Sequence, residues 1–146
     1  MDKKQLASLH HALEALIDAP LNAVTRSADA LCLSLGAIIP CTGVIRDACG
    51  KLVSAEVDRS IFALEVSCCY RMTCGNSMML AKNDLYQPAH AIQEQWALEG
   101  IEVTPEDFDC EAIDHNRLDE RIREFFSDCK GIRVSSVRIN PFGFCQ

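Results

Sequence analysis

The stretch Phe62–Thr73, FALEVSCCYRMT, decides the fold that the sequence predicts. Apolar and more polar side chains alternate along it, and this two-residue period is typical of a β-strand with one buried face. Gly75-Asn76 follows as a turn in which glycine supplies a positive φ. Ser77–Ala81 then returns as the neighbouring strand. We therefore expect an antiparallel hairpin in the middle of the chain.

Three cysteines in and beside this stretch raise the question of a metal or redox centre. Adjacent strand residues point to opposite faces, so Cys68 and Cys69 would diverge. Cys74 would lie roughly 20 Å from Cys68 along an extended chain, whereas zinc holds its sulfur ligands at about 2.3 Å. We expect these thiols to fill space, and we assign no metal and no cofactor. A ligand pair of Cys49 and Cys74, each in an R-x-x-C-G turn, is the less favoured alternative.

Two amphipathic helices are expected before the strands. The first has apolar residues three or four positions apart and is interrupted at Asp18-Ala19-Pro20. The second is expected to start at Pro20 and to end at Gly36. Neither apolar stripe can stay in water, so each needs a sheet or a second copy to cover it. The stripes are Leu6, Leu9, Leu13, Leu16 and Ile17 in the first helix, and Leu21, Val24, Ala28, Leu31 and Leu35 in the second.

Further strands and helices complete the expected order. Ile38–Arg46 and Leu52–Val57 flank a turn at Cys49-Gly50 and are predicted to form another hairpin. The late segment Ile132–Ile139 is predicted to be a fifth strand with a bulge. Helices are expected over Pro88–Gly100, from a cap at Thr104–Asp107, and over Leu118–Cys129, the last after a second cap at Asn116–Asp119.

The bulk composition fits one domain over residues 1–146, with 49% hydrophobic and 24% charged residues. The predicted fold class is α+β: two N-terminal helices and an antiparallel four- to five-stranded sheet with helices packed on one face. Polar residues near the N-terminus argue against a signal peptide, and no apolar run is long enough to span a bilayer. We therefore expect a cytoplasmic protein that does not bind membranes and whose nine cysteines are free thiols.

The net charge of −7 disfavours nucleic-acid binding, because a phosphate backbone would be repelled. The chain also lacks the phosphate-binding glycine motifs and the histidine pairs of zinc hydrolases. In the polar segment Asp109–His115, a helix would place Glu111 and His115 on one face, but a solvated corner between helices is favoured. Cys69 is the candidate reactive thiol, because nearby Arg71 would favour its thiolate.

Two functions from different classes follow. The favoured one is a protein-binding domain of the adaptor, chaperone or inhibitor type, homodimeric and without catalytic activity, because the apolar faces outnumber what one chain can cover. The alternative is a small-molecule-binding or thiol-dependent protein with an apolar pocket between sheet and helices. The candidate pocket residues are Tyr70, Met72, Met78, Met79 and Trp96.

Overall fold

The computed structural model describes residues 2–102 and 108–138. Strands β1, β2 and β3 form one sheet in that order, and β4 and β5 form a separate two-stranded sheet. Within the described residues, no helix is both long and apolar enough to cross a membrane. The elements are α1 (Lys3–Glu14), β1 (Leu21–Ser27), β2 (Ala30–Arg46), β3 (Leu52–Val66), β4 (Arg71–Cys74), β5 (Ser77–Ala81), a 3-10 turn (Lys82–Tyr86), α2 (His90–Glu99) and α3 (Arg117–Phe126).

The predicted second N-terminal helix is wrong, because its residues form a β-hairpin. β1 and the start of β2 are joined by the two residues Ala28-Asp29, with Ala28 in the left-handed region at φ 51°. The apolar spacing from Leu21 to Leu35 fits a helix, but Leu31, Leu33 and Leu35 also alternate as in a strand. Both periods are present in this segment, and in the fold its residues pair as strands of the β1-β2-β3 sheet.

The predicted continuous strand Phe62–Thr73 is also wrong in its middle. β3 ends at Val66 and β4 begins at Arg71, so Cys68 and Cys69 lie in a bend. At this break Lys82 bonds to the bend, because its Nζ donates to the carbonyl of Ser67 at 2.9 Å and its backbone N–H to the carbonyl of Tyr70 at 3.0 Å. These carbonyls are therefore engaged outside any ladder that would continue β3.

The predicted fold class is contradicted as a whole. In place of one sheet of four or five strands, the described residues form a three-stranded and a two-stranded sheet. The expected fifth strand is reduced, within its described residues 132–138, to an isolated bridge between Pro20 and Arg133. The expected helix cap Thr104–Asp107 and the tail from residue 139 lie outside the described residues.

Several local predictions are confirmed. The turn at Cys49-Gly50 joins β2 to β3, and the strand predicted at Ser77–Ala81 is β5. α1, α2 and α3 occupy predicted helical segments, and Gly100 caps α2 in the left-handed conformation at φ 66°. Asn116 begins α3 by accepting a hydrogen bond from the backbone N–H of Asp119 at 2.8 Å.

The chain divides into two compact units, each built from separate segments. Unit 1 comprises residues 1–22, 34–64 and 130–146, and unit 2 comprises residues 23–33 and 65–129. The prediction of a single domain is not tested by this division and stays a prediction. The buried apolar residues of unit 1 are Leu13, Leu16, Ala19, Leu21 and Leu35, and those of unit 2 are Val24, Ala30, Leu31, Leu80, Leu85, Ala89, Leu118, Phe126 and Cys129.

Candidate functional site

The candidate functional surface of unit 1 is a two-stranded ribbon that we call the outer ribbon, residues 37–46 of β2 and 52–61 of β3. It begins where the N–H of Gly36 donates to the carbonyl of Pro20, just before β1 starts. Ten residues of strand rise about 33 Å, so the ribbon is long for its two strands. Its exposed large apolar residues are Ile38, Ile39, Val44, Ile45, Leu52 and Ile61.

A tight turn closes the far end of the outer ribbon. The N–H of Gly50 donates to the carbonyl of Asp47 at 2.9 Å, and the N–H of Asp47 donates to the carbonyl of Lys51 at 2.9 Å. The Asp47 carboxylate also accepts from the backbone N–H groups of Cys49 and Lys51, at 2.9 Å each. Gly50 has φ 78°, which glycine adopts readily. The turn therefore fixes the register of β2 against β3.

Close packing within unit 1 anchors the base of the outer ribbon. Asn22 donates from Nδ2 to the carbonyl of Gly36 at 2.7 Å and to the hydroxyl of Ser60 at 2.8 Å. A Cβ on Gly36 would lie 2.6 Å from Cγ1 of Ile61, so the two strands meet where only glycine fits. Beyond this base, the ribbon's large apolar side chains at Ile38, Ile39, Val44, Ile45 and Leu52 are exposed.

Unit 2 contains a nearly buried ion pair between β1 and α3. Arg26 donates from Nε to Oδ1 of Asp119 at 2.6 Å and from Nη2 to Oδ2 at 2.9 Å. The two side chains are only 8% and 11% exposed. Arg26 also donates to the carbonyls of Ala28, Glu111 and Ala112. The guanidinium thus ties the segment before α3 to β1.

The electrostatics of this pair follow from its hydrogen bonds. The hydrogen bond with Asp119 raises the pKa of Arg26 above its usual value. Burial opposes ionisation of Asp119, but hydrogen bonds from Arg26, the backbone N–H of Asp114 and the amide of Asn116 outweigh it and lower the pKa of Asp119. Both groups are charged and well satisfied, which fits a structural role better than proton transfer.

The predicted polar segment Asp109–His115 is a series of turns between α2 and α3. Glu111 and His115 therefore do not share a helix face, and the favoured reading as a corner is confirmed. The corner is held by Asn116, which donates to the carbonyl of Cys110 at 3.1 Å, and by the Arg26 contacts. Within the described residues, no group of three or more histidine, cysteine, aspartate or glutamate side chains is placed to hold a metal ion.

An open concavity of about 670 Å³ lies beside the ion pair in unit 2. Val24 and Arg26 of β1 form one side, and Ile122 and Phe126 of α3 form the other. None of the five predicted pocket residues lines it. No pattern in the sequence predicts this concavity, because one side of it is β1, whose residues are spaced as in a helix.

The structure distributes the predicted pocket residues over unit 2. Met72 pairs with Leu80, and Met78 pairs with Thr73, across β4 and β5. The side chain of Met78 is 55% exposed, while Met79 is half-buried and its carbonyl accepts from Arg121. Their use by a ligand stays a prediction.

The two predicted aromatic pocket residues have different surroundings. The ring of Trp96 meets that of Phe108 edge-on, with centroids 6.3 Å apart. Desolvation raises the pKa of Tyr70 to about 12. Among the described residues, its buried hydroxyl has no hydrogen-bond partner.

The candidate thiol Cys69 is exposed in the bend between β3 and β4. Its charged neighbour is Lys82, which bonds Asp29 at 2.7 Å and the carbonyl of Ser67. Cys49 and Cys74 are also exposed free thiols, one in the ribbon turn and one at the end of β4. The reactivity of Cys69 stays a prediction.

Comparison with known proteins gave no match to a family model, to a curated protein or to a solved structure.

Proposed function

We propose that the chain is a protein-binding domain without catalytic activity, that it self-associates, and that it acts in the cytoplasm. The observation that carries the proposal is the outer ribbon, whose exposed apolar side chains lie close together in sequence and on two paired strands. Several exposed large apolar side chains grouped on two paired strands favour protein interaction.

A two-stranded ribbon is expected to become more stable when a partner covers it. An isolated hairpin is marginal in water, and a third strand or a packed layer is needed for independent stability. Ile38 and Val44 are 59% and 65% exposed, so their burial by a partner would remove a large apolar area from water. Burial of these side chains by a partner would therefore both strengthen binding and stabilise the ribbon.

The charge of the chain narrows the class of partner. With 21 acidic against 14 basic residues, the chain repels nucleic acid on average. A chain that is acidic on average favours a protein partner with basic residues beside its own apolar surface.

Paired surface substitutions test the role of the ribbon. We expect the double variant Ile38→Ser/Val44→Ser to lose proteins that co-purify with the untagged chain, as measured by native mass spectrometry. The matched control is Leu98→Ser/Ile113→Ser, which removes two side chains of unit 2 that are 89% and 79% exposed. Equal loss from both variants, or a wild-type chain that carries no bound protein, would contradict the proposal.

A further inference from the structure

Cys68 and Cys69 are exposed free thiols on neighbouring residues of unit 2. An extended strand would point them to opposite faces, but β3 ends at Val66 and the chain bends at both cysteines. Among the described residues, neither cysteine takes part in a backbone–backbone hydrogen bond outside the strands. The bend therefore removes the restraint that would hold the two thiols apart in a strand.

The residues on either side of the cysteine pair are anchored. Lys82 donates from Nζ to the carbonyl of Ser67 at 2.9 Å and from its backbone N–H to the carbonyl of Tyr70 at 3.0 Å. One lysine thus holds both ends of the segment that carries the two thiols. Because the ends are already ordered, a ligand bound between the thiols would order little further backbone.

A bridging metal ion suits this pair better than a direct disulfide. Residues joined by a trans peptide bond have Cα atoms about 3.8 Å apart, whereas disulfides usually join Cα atoms about 4.4 to 6.8 Å apart. A disulfide also brings the two sulfurs to about 2.05 Å. Two metal–thiolate bonds of about 2.3 Å each let the sulfurs stay up to about 4.6 Å apart. A metal ion between the thiols therefore requires less distortion of the backbone.

The number of ligands selects the ion. Soft thiolate ligands select Cu(I), zinc or iron–sulfur clusters. Structural zinc and iron–sulfur clusters take four protein ligands. Within the part of the chain that the structure describes, no group of three or more histidine, cysteine, aspartate or glutamate side chains is placed to hold a metal ion. A site of two thiolates alone therefore fits Cu(I).

We propose that Cys68 and Cys69 bind one Cu(I) ion between their two thiolates. Each thiol releases its proton to solvent, so two thiolates and one monovalent cation leave the bound centre with one negative charge. Arg71 is exposed and makes no ion pair among the described residues, so its guanidinium is available to offset this charge. Lys82 is already bonded to Asp29 at 2.7 Å. Cu(I) binding here does not require the protein-binding function proposed above.

Competition for Cu(I) with the chromogenic chelator bicinchoninate tests the site on the whole, reduced chain in the absence of oxygen. We expect Cys68→Ser and Cys69→Ser each to weaken Cu(I) binding at least about a hundredfold, because the second thiolate acts as an intramolecular ligand. The control Cys49→Ser/Cys74→Ser removes two other exposed thiols and should change the affinity by less than about threefold. X-ray absorption at the copper edge should show two sulfur neighbours.

Three results would overturn the site. The first is a wild-type chain that binds Cu(I) no more tightly than Cys68→Ser does. The second is equal weakening by the control and by the single variants, and the third is a copper ion with three or more sulfur neighbours. Circular dichroism of each variant separates loss of binding from loss of folding, and Cys68→Ala and Cys69→Ala provide a second pair of variants at the same exposed positions.

Discussion

Arg26 of β1 and Asp119 of α3 form a bidentate ion pair, with N–O distances of 2.6 and 2.9 Å and exposures of 8% and 11%. The pair joins two segments of unit 2 that are far apart in sequence. Because both partners are nearly buried, the loss of one leaves the other as an uncompensated charge.

Asp119→Ala is therefore expected to destabilise the fold by about 3 kcal/mol, the low end for a broken buried pair. Urea denaturation followed by circular dichroism measures the change. The control is Arg123→Ala, which removes an ion pair with Asp114 whose side chains are 57% and 59% exposed. It should cost less than about 1 kcal/mol. Equal effects of the two variants would show that burial of the Arg26 pair is unimportant.

The same pair predicts how stability depends on pH. The pKa of Asp119 is lower in the folded chain than its ordinary value of about 3.9. The stabilisation is therefore complete above this ordinary value and is lost as the pH falls through the lower, folded value. Thermal unfolding between about pH 5 and pH 2 should show a steeper loss of stability in the wild type than in Asp119→Asn.

Asp29 also contributes to acid sensitivity, because its hydrogen bond with Lys82 lowers its pKa. This contribution is common to the wild type and Asp119→Asn, so it cancels in the comparison. Parallel curves for the two proteins would contradict the assignment to Asp119.

Gly36 should tolerate no side chain. It has φ 89°, and an added Cβ would lie 2.6 Å from Cγ1 of Ile61. Gly36→Ala is expected to lower the unfolding free energy by more than Gly100→Ala, which has a positive φ of 66° but no atom within 4 Å of an added Cβ. The control isolates backbone strain of about 1–2 kcal/mol, and the excess at Gly36 measures the clash. Thermal unfolding that ranks the two variants in the opposite order would refute the close approach of β2 and β3.

Local signals in the sequence identified much of the chain but not its assembly. The turn at Cys49-Gly50, the strand Ser77–Ala81 and the cap Asn116 all depend on neighbouring residues, and they are confirmed. The helix expected after Pro20 failed because Leu21 to Leu35 carries two periods at once, and only a strand partner distinguishes them.

The break at Cys68-Cys69 could not be predicted from local alternation, because the bend is held by a contact with Lys82, which is distant in sequence from Ser67. The ion pair of Arg26 was missed for the same reason, since it joins β1 to α3. The sequence predicts the two strands of the outer ribbon, but it does not predict their exposure, because that depends on where β1 ends.

The outer ribbon is the surface through which we expect the chain to self-associate, and sedimentation velocity over a concentration series tests this most directly. We predict that the wild type forms a species of twice the 16.1 kDa chain mass. We expect Ile38→Ser/Val44→Ser to weaken this association at least about tenfold, because two exposed apolar side chains are lost, and Leu98→Ser/Ile113→Ser to leave it unchanged. A strictly monomeric wild type, or equal weakening by both double variants, would contradict the claim.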